Sequence, residues 1–444
     1  MVKLKQEFLN RMQKQLKSEF NDFLASYEKE CVRGVRVNTK KISVQDFLNI
    51  TPFKLSKIDY ADNGFILSGD GKWGSHPYHH AGLIYFQEPS SMVPVESVEI
   101  EKDDLVIDLC AAPGGKSGQI ACKLGEDGLL ISNEVVPQRS KILFSNIERQ
   151  GFKNVVVTNC SVEKLAEKFA YCFDKVFVDA PCSGEGMFRK DENAINEWNE
   201  MSNSSNAARQ KLILESAKKL VNVGGKLIYS TCTFSSVEDE EVVYDFLKQN
   251  ENFVLVKFLD KLDGVLVSED EKKMTGKFYP HKASGEGQFV AVFEKVSGES
   301  NALPLYRRQK LFKSEETLFN EFKKENLLED LSVTSVNGSL YVLPKICPDL
   351  RGLNVLSVGV KAGEIIKNRF QPFHSLFNAY GNSFKRKLKL TIDDNRLFDY
   401  LKGEEIACEL ENKYAVVCVS DFPLGGIKVS DNRGKNLYPK GLRN

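Results

Sequence analysis

Two cysteines lie in short polar segments that form turns. Cys182 stands in DAPCSGEGM (Asp179–Met187), and Cys232 stands in STCTFS (Ser230–Ser235). Either cysteine, taken alone, is as readily a packing residue as a reactive one. A thiolate, however, is a nucleophile that supports covalent catalysis. Because both segments follow predicted parallel strands, whose carboxyl ends meet at one sheet edge, the pair indicates a thiol-based reaction centre.

A third segment at the same edge is typical of a cofactor-binding turn. DLCAAPGGK (Asp108–Lys116) follows a predicted strand and opens a helix, and its glycines let a ligand approach the main chain. The next strand ends at Glu134, where a carboxylate can accept both hydroxyls of a ribose. Gly114–Ser117 resembles the end of a phosphate-binding loop, but Cys110 stands where that motif needs glycine, and the dinucleotide fingerprint is absent. S-adenosylmethionine, with a ribose and no phosphate, fits better.

These segments together carry the groups that methylation of cytosine carbon 5 requires. Carbon 5 is too electron-poor to take a methyl group directly from a sulfonium, and a thiolate that adds at carbon 6 removes this barrier. Asp179 is placed to stabilise charge at nitrogen 3, which calls for a raised pKa if it acts as a donor. A base then removes the carbon 5 proton. Amino-methylating enzymes carry an aromatic residue at the position of Cys182, so carbon methylation is favoured. The residues alone do not decide which cysteine is the nucleophile.

Alternating strands and helices must position these segments. Short apolar runs predict strands and the longer stretches between them predict helices, which is typical of a mostly parallel sheet covered on both faces. The predicted strands are Leu105–Leu109, Gly128–Ser132, Asn154–Thr158, Lys175–Val178, Gly225–Tyr229, Phe253–Lys257 and Gln288–Phe293, and the predicted helices include Pro137–Gln150 and Asn206–Val221. Gly74–Met92 is interpreted as a loop leading into a helix. Strands are expected again at Leu340–Leu343, Leu353–Val360, Ile406–Leu410 and Tyr414–Val419.

Composition limits the class of protein. The chain has 444 residues, a formal net charge of zero, 42% hydrophobic and 27% charged residues, as expected for a globular protein of several domains. No stretch is long and apolar enough to span a bilayer, and the N-terminus does not resemble a secretory signal, so we expect a cytoplasmic protein without membrane contact. None of the ten cysteines forms a Cys-x-x-Cys pair, and His76, His79 and His80 have no partner at metal-ligand spacing, so no metal is predicted.

Several motifs in order resemble those of the Nop2/Sun family of RNA cytosine-5 methyltransferases. They are RVNT (Arg36–Thr39), YFQEPSSM (Tyr85–Met92), DLCAAPGGK (Asp108–Lys116), DAPCSGEGMF (Asp179–Phe188), STCTFS (Ser230–Ser235) and FYPHKASGEGQFVAVFEK (Phe278–Lys295). The resemblance implies that Cys232 is the nucleophile and that Cys182 acts in product release, as or through the base. It also implies an S-adenosylmethionine pocket made by Cys110, Ala111, Ala112, Pro113, Gly114, Gly115, Lys116, Glu134 and Asp179.

One position departs from the family pattern. Many relatives carry an aspartate after the third strand that faces the adenine, whereas this chain has TNCS (Thr158–Ser161) there. Asn159 or Ser161 is expected to substitute for that aspartate.

The C-terminal part resembles the bacterial RsmF/YebU subgroup of the family. The similarity lies in RFQPFHSLFNAYG (Arg369–Gly381) and FPLGGIKVSDNRGKNLYPKGLRN (Phe422–Asn444). It implies a PUA-like RNA-binding domain and small-subunit (16S) ribosomal RNA as the substrate, either free or within the subunit. Transfer RNA as substrate, or a non-catalytic RNA-binding assembly factor, are the alternatives.

The predicted fold class is α/β. It combines a Rossmann-like class I methyltransferase core with a mostly parallel sheet, a small N-terminal α+β domain that binds RNA, and a C-terminal β-rich PUA-like module. The predicted domains are 1–93, 94–298, 299–366 and 367–444, in a monomer, with 299–366 as an intermediate α+β domain.

Basic and aromatic side chains predict where RNA is held. Phosphate contacts are expected at Arg189 and Lys190, just after the Pro-Cys loop, and at Lys385–Lys389 and Lys435–Arg443. Phe384 and Tyr438 are expected to stack on bases. A solvated charged surface is the alternative interpretation of each basic stretch.

Overall fold

The N-terminal part of the computed structural model packs helices on a small antiparallel sheet. The structure describes residues 4–69, 71, 73–268, 274–307, 311–336 and 338–443. The first strands are β1 (Arg33–Val37), β2 (Lys54–Lys57), β3 (Gly64–Ser68) and β4 (Ile84–Phe86), in the order β2-β3-β1-β4. The accompanying helices are α1 (Gln6–Leu16), α2 (Phe20–Ser26), α3 (Val44–Ile50), α4 (Pro77–His80) and α5 (Val93–Glu96).

The segment Gly74–Met92 was expected to be a loop leading into a helix, and that prediction is wrong in part. It contains α4 and strand β4, which pairs antiparallel with β1 through Val35 and Phe86. Three residues are too few to show a strand pattern in sequence, and the strand exists because β1 offers it a partner.

A large, mostly parallel sheet follows. Its strands are β5 (Leu105–Asp108), β6 (Leu129–Asn133), β7 (Val155–Thr158), β8 (Phe173–Asp179), β9 (Val221–Thr231), β10 (Phe253–Leu255), β11 (Thr275–Phe278) and β12 (Gln288–Lys295). The helices between them are α6 (Gly115–Lys123), α7 (Pro137–Gln150), α8 (Val162–Lys168), α9 (Glu192–Glu197), α10 (Glu200–Ala217) and α11 (Glu240–Gln249).

Strands β5 to β9 pair parallel to one another, and β12 closes one edge antiparallel to β9. The path of hydrogen-bonded strands runs β10-β12-β9-β8-β5-β6-β7. Successive residues of a strand point to opposite faces of the sheet. Val106 packs with α6 and α7 on one face, whereas Ile107 packs with α8 and α10 on the other. Both faces of the sheet are therefore covered by helices, and the predicted Rossmann-like α/β class is confirmed.

The C-terminal part forms two further sheets. Its strands are β13 (Thr334–Val336), β14 (Ser339–Val342), β15 (Val355–Val358), β16 (Val360–Ile366), β17 (Arg369–Pro372), β18 (Lys387–Leu390), β19 (Ile406–Ala407), β20 (Tyr414–Val419), β21 (Phe422–Ser430) and β22 (Arg433–Asn436). Its helices are α12 (Lys313–Asn326), α13 (His374–Tyr380) and α14 (Asn395–Lys402). The hairpin β16–β17 crosses the predicted division between 299–366 and 367–444.

The predicted single strand Leu353–Val360 is two strands that serve different sheets. β15 joins the edge of the large sheet antiparallel to β7, whereas β16 pairs with β14 and β17. Gly359, between them, has φ +58, and a Cβ there would lie 2.5 Å from the Val342 carbonyl oxygen. The chain can turn between the sheets because this residue is glycine.

Candidate active site

The carboxyl ends of β5, β8 and β9 open into a cavity of about 330 Å³, which N-terminal residues close on one side. Its wall consists of Tyr85, Phe86, Gln87, Glu88, Ser91, Asp108, Cys110, Ala111, Ala112, Pro113, Gly115, Lys116, Asp179, Met187, Cys232, Gly287 and Gln288. The strand order reverses at β5, and ligands of open α/β sheets bind at such a point.

The turn after β5 presents most of the predicted cofactor-binding residues to this cavity. Cys110–Pro113, Gly115 and Lys116 line it, and Gly114 does not. Gly114 has φ +110 and directly precedes α6, so its contribution is the bend itself. The Ala111 N–H donates to the Asn133 carbonyl at 2.9 Å, which ties the turn to the end of β6.

Glu134, predicted to bind the ribose, is buried at the end of β6 and is not part of the cavity wall. One of its carboxylate oxygens accepts the Val136 N–H at 2.9 Å. The other, Oε2, lies 3.4 Å from Arg139 and has no hydrogen bond within the described part of the chain. A buried carboxylate oxygen without a hydrogen bond suits ribose hydroxyls, so the residues present fit an adenosyl group.

The two candidates for the adenine side both have partners inside the chain. Asn159 Nδ2 donates to the carbonyls of Glu134 and Val135 at 2.7 and 2.8 Å. Ser161 Oγ accepts the Lys164 N–H and caps α8. Asn159 therefore holds the main chain beside Glu134, and a contact of either side chain with adenine stays a prediction.

Asp179, at the end of β8, is surrounded by donors. Lys116 Nζ lies 2.7 Å from its Oδ2, Ser230 Oγ donates to its Oδ1 at 2.8 Å, and Gln288 Nε2 does so at 3.3 Å. The sequence left open whether Asp179 stabilises charge near nitrogen 3 as a hydrogen-bond donor. Three donors, one of them an ammonium, instead favour the carboxylate as an acceptor. The pairing of Lys116 with Asp179 was not predicted.

Asp108, at the end of β5, is a buried acid for which the motif DLCAAPGGK suggested no role. Ser117 Oγ donates to its Oδ2 at 2.6 Å, and Ser132 Oγ donates to Ser117 Oγ at 2.9 Å. Burial raises the pKa of Asp108 to about 7. Ser117 thus contacts an acid of the sheet, and Lys116 contacts Asp179, so the side chains that resembled a phosphate-binding loop are both engaged with carboxylates.

The two cysteines predicted to react lie side by side. The sulfurs of Cys182 and Cys232 are 3.3 Å apart, and Cys232 lines the cavity. The contact with Cys232, together with burial, raises the pKa of the Cys182 thiol. Two adjacent thiols cannot both ionise readily, so Cys182 keeps its proton.

Glu185 and Gly186 hold the Pro-Cys loop against the loop of Cys232. The Gly186 N–H donates to the Cys232 carbonyl at 2.9 Å, and a Cβ on Gly186 would lie 2.7 Å from the Cα of Gly287. The buried carboxylate of Glu185 accepts the Phe234 N–H at 3.1 Å and pairs with Arg11 of α1 at 2.5 Å. The resemblance marked these loops as motifs, but it did not show that an N-terminal helix clamps them.

Hydrogen bonds of Glu238 and Ser183 also link the Pro-Cys loop to the loop of Cys232. Its Oε2 accepts the Ser183 N–H and the Gln210 side-chain amide, both at 3.0 Å. Ser183 Oγ lies 2.8 Å from Thr233 Oγ1. Each reactive cysteine is therefore followed by a residue that is hydrogen-bonded to the other loop.

Arg36, from the RVNT motif, lies behind the cofactor turn. It is fully buried and donates to Gln87 Oε1 at 3.0 Å, to the Gly118 carbonyl at 3.1 Å and to Gln150 Oε1 at 3.3 Å. A Cβ on Gly118 would come within 2.7 Å of its guanidinium. The motif was quoted without a role, and the structure assigns it to joining β1 with α6.

Several residues expected to hold RNA are engaged within the protein. Arg189 donates to the carbonyls of Lys29 and Glu30 at 3.1 Å and lies 3.5 Å from Glu286. Its side chain is only 6% exposed, so the prediction that it contacts flanking phosphates is wrong for this conformation. Lys190 donates to the Val32 carbonyl at 2.9 Å but remains partly exposed.

The predicted stacking residues of the C-terminal part are core residues. Phe384 is 1% exposed and Tyr438 is 2% exposed, so neither presents a ring to RNA, and that prediction is wrong. Tyr438 instead contacts the N-terminal domain, because its hydroxyl lies 2.8 Å from His80 Nδ1. A basic stretch around an aromatic residue does not indicate whether the aromatic ring is exposed in the fold.

The histidine cluster packs as ordinary core and capping residues. His76 accepts the Tyr78 N–H at the start of α4, and burial lowers the pKa of His76 to about 4 and that of His79 to about 3. Among the residues that the structure describes, no group of three His, Cys, Asp or Glu side chains has metal-binding geometry. No described helix is long and apolar enough to cross a membrane.

Family models match most of the chain. The model for 16S rRNA methyltransferase RsmB/F matches residues 95–294, and that for the N-terminal domain of 16S rRNA methyltransferase RsmF matches residues 4–89. The first C-terminal domain of RsmF rRNA methyltransferase matches residues 316–379, and the PUA domain of methyltransferase RsmF matches residues 387–444. The predicted PUA-like module is thereby confirmed.

Relatives and solved structures agree with these matches. The ribosomal RNA small subunit methyltransferase F of Erwinia tasmaniensis is 32% identical over 98% of this chain and 96% of its own length, and that of Shewanella piezotolerans is 31% identical over 100% and 98%. A solved methyltransferase homolog protein from Pyrococcus horikoshii is 27% identical, with a TM-score of 0.56, over 66% of this chain and 96% of its own. NSun6 from Pyrococcus horikoshii, 22% identical with a TM-score of 0.57, covers 66% of this chain and 99% of its own and shows the same fold.

The resemblance to the Nop2/Sun family and its RsmF/YebU subgroup is thus confirmed by matches along almost the whole sequence. The chain belongs to the 16S rRNA methyltransferase RsmB/F family, in the group of the ribosomal RNA small subunit methyltransferases F.

Proposed function

We propose that this protein transfers a methyl group to carbon 5 of a cytosine in RNA, through a transient bond between Cys232 and carbon 6 of the base. The observation that carries the proposal is the 3.3 Å separation of the Cys182 and Cys232 sulfurs, at the cavity that also receives the turn after β5. S-adenosylmethionine, when bound, supplies the methyl group as an electrophile. Residues Cys110–Lys116, with Glu134 and Asp179, would hold it.

Cys232 is the nucleophile in this proposal. Because the pKa of Cys182 is raised, Cys182 keeps its proton and donates a hydrogen bond to the Cys232 sulfur, while Cys232 releases its own proton to solvent. The Cys232 thiolate adds to carbon 6, and carbon 5 gains the electron density that it needs to accept the methyl group.

Cys182 becomes the base once the bond has formed. The largest cause of its raised pKa is the contact with Cys232, and a sulfur bonded to carbon no longer carries the charge that opposes ionisation of Cys182. The Cys182 thiol can then release its proton to solvent, and the resulting thiolate takes the proton from carbon 5, directly or through a water. The electrons of the C5–H bond reform the ring double bond, the C6–S bond breaks, and Cys232 leaves as a thiolate.

Lys116 and Asp179 act as a unit near nitrogen 3. The ammonium of Lys116, held at 2.7 Å by Asp179, supplies the positive charge that a developing negative charge on the ring requires. Asp179 keeps its proposed role at nitrogen 3 through this lysine.

The names of the relatives point to small-subunit ribosomal RNA, and we propose 16S RNA as the substrate, with transfer RNA as the alternative. The divisions after residues 93 and 298, a monomeric state and a cytoplasmic location belong to the same proposal, whereas the division after residue 366 would separate the two strands of the β16–β17 hairpin. Bisulfite sequencing of ribosomal and transfer RNA from a deletion strain identifies the cytosine that loses its methyl group.

Covalent trapping tests the chemistry. Purified wild-type protein, Cys232→Ala and Cys182→Ala are incubated with RNA and labelled S-adenosylmethionine, and products are separated under denaturing conditions. We expect Cys182→Ala to accumulate an RNA–protein adduct and Cys232→Ala to form neither adduct nor product. Cys408→Ala, which alters a buried cysteine of the C-terminal part, is the matched control and should behave like wild type.

Other outcomes are equally informative. An adduct in Cys232→Ala would reverse the two roles. Wild-type protein that binds RNA and S-adenosylmethionine without methyl transfer would favour the assembly-factor alternative and contradict the proposal.

A further inference from the structure

A second cavity, of about 380 Å³, adjoins the active-site cavity, because Phe86, Gln87 and Glu88 line both. Its remaining walls come from Arg33 and Gly34 of β1, from Lys190 after the Pro-Cys loop, and from the segment after β3 with Gly71, Trp73 and Gly74. The turn Cys110–Lys116 does not line it. A cavity of this size suits a nucleotide-sized ligand, and its position leaves the adenosyl pocket separate.

The walls combine aromatic rings with unpaired positive charge. Trp73 and Phe86 are half-buried, and Trp73 Nε1 has no hydrogen-bond partner among the described side chains. Arg33 is exposed and forms no ion pair within the part of the chain that the structure describes. Rings that can stack on a base next to a cation that can bind phosphate are the features of single-stranded RNA sites.

The carboxylates of two acids near this cavity already have hydrogen-bond or ion-pair partners within the protein. Glu88 accepts the Glu286 N–H at 2.9 Å and the Ser91 N–H at 3.0 Å. Glu286 lies 3.5 Å from Arg189 and 3.6 Å from Lys190. Their carboxylates therefore do not leave a negative field that would repel a phosphate at Arg33.

We propose that this cavity, named here the flanking-nucleotide pocket (Arg33, Trp73, Phe86 and Lys190), takes the base of a nucleotide next to the target cytosine. This inference rests on the proposed function. The RNA strand leaves the active-site cavity over the shared Phe86–Glu88 wall, the neighbouring base stacks on Trp73, and its phosphate pairs with Arg33. A flipped cytosine needs such anchors, because its stacking energy in the RNA has been lost.

Abasic substitution separates the pocket from the reaction centre. RNA fragments carry the target cytosine in unmethylated form and either all bases, an abasic 5′ neighbour or an abasic 3′ neighbour, and kcat/KM is measured for wild type and Trp73→Ala. We expect Trp73→Ala to lower kcat/KM about 5- to 150-fold on intact RNA, the range for loss of one stacked base. On the abasic RNA that lacks the base stacked on Trp73, Trp73→Ala should not lower kcat/KM any further.

A second variant tests the phosphate contact. Arg33→Gln should reduce the slope of log KM against log salt by about 0.7, the value for one phosphate of single-stranded RNA. Arg351→Gln, which alters an exposed arginine paired with Asp349, is the control and should leave that slope unchanged.

The result that overturns the inference is an equal effect of Trp73→Ala on all three RNAs, or no effect on any. Unchanged affinity for S-adenosylmethionine shows that the variant is folded, and Trp73→Phe should restore most of the rate. If wild type fails to methylate intact RNA, the proposed function fails. If wild type methylates it and Trp73→Ala does so equally fast, only the flanking-nucleotide pocket is refuted.

Discussion

Replacement of Arg36 by methionine should both destabilise the fold and weaken cofactor binding. The guanidinium is fully buried and donates its best hydrogen bonds to Gln87 Oε1 at 3.0 Å and to the Gly118 carbonyl at 3.1 Å. Hydrogen bonds from a charged donor contribute about 1.5–3 kcal/mol each, so the two account for about 3–6 kcal/mol. Methionine fills part of the volume and removes the cost of burying a charge.

The change in stability depends on whether the lost hydrogen bonds outweigh the cost of burying a charge, which methionine removes. Buried ion pairs can often be replaced by apolar residues without loss, because both charges leave together. Arg36 is different, since its partners are neutral carbonyl oxygens, and methionine would remove a charged donor from each of them without removing a second charge. We therefore expect a net loss of about 2–4 kcal/mol in the free energy of unfolding. Because Gly118 belongs to α6, whose first turn borders the cofactor cavity, affinity for S-adenosylmethionine should fall as well.

Urea denaturation followed by circular dichroism measures the stability, and calorimetric titration measures cofactor affinity. Arg33→Met is the matched control, because Arg33 lies on the same strand but is exposed. If Arg36→Met were as stable as Arg33→Met, the cost of burying the uncompensated cation would equal the energy of its hydrogen bonds, and the reasoning would be refuted.

Two further predictions concern the ties between the cysteine loops. Burial raises the pKa of Glu238 from 4.5 to about 7, so its contribution to stability is complete below pH 4.5 and is lost as the pH rises toward 7. Relative to Glu238→Gln, a neutral mimic, wild type should lose about 2–3 kcal/mol of unfolding free energy between about pH 5 and pH 8, measured by urea denaturation. Gly186→Ala should lower kcat at least about tenfold, because its Cβ would meet Gly287 and the Cys232 carbonyl, whereas Gly441→Ala, with open space around it, should not; equal rates would contradict this.

Local sequence signals predicted the elements that depend on local causes. Helix α7 was predicted at Pro137–Gln150, and the structure has these bounds. Proline suits a first helical turn, and Gly151, with φ +72, ends the helix. The reactive edge could be predicted for a related reason, since parallel strands place their carboxyl ends together whatever surrounds them.

Elements that depend on distant partners could not be predicted. Strand β4 needs β1, and β15 needs β7, which lies about two hundred positions earlier in the sequence. Burial of Tyr438 likewise depends on His80 of the N-terminal domain. The sequence shows which side chains are aromatic or basic, but exposure is decided by the domain that packs over them.

The same limit applies to the candidate site, where sequence supplied the reactive atoms and tertiary packing supplies their positions. A thiolate must approach carbon 6 while a second thiol waits near carbon 5, and an error of about 1 Å in such an arrangement costs about a hundredfold in rate. Cys182 and Cys232 lie on separate loops, and these loops are joined by Glu185, which is in turn held by Arg11 of α1. The geometry of the two sulfurs is therefore a property of the N-terminal domain as well as of the methyltransferase core. A displacement of α1 would remove the Arg11–Glu185 contact and would therefore disturb the position of both sulfurs.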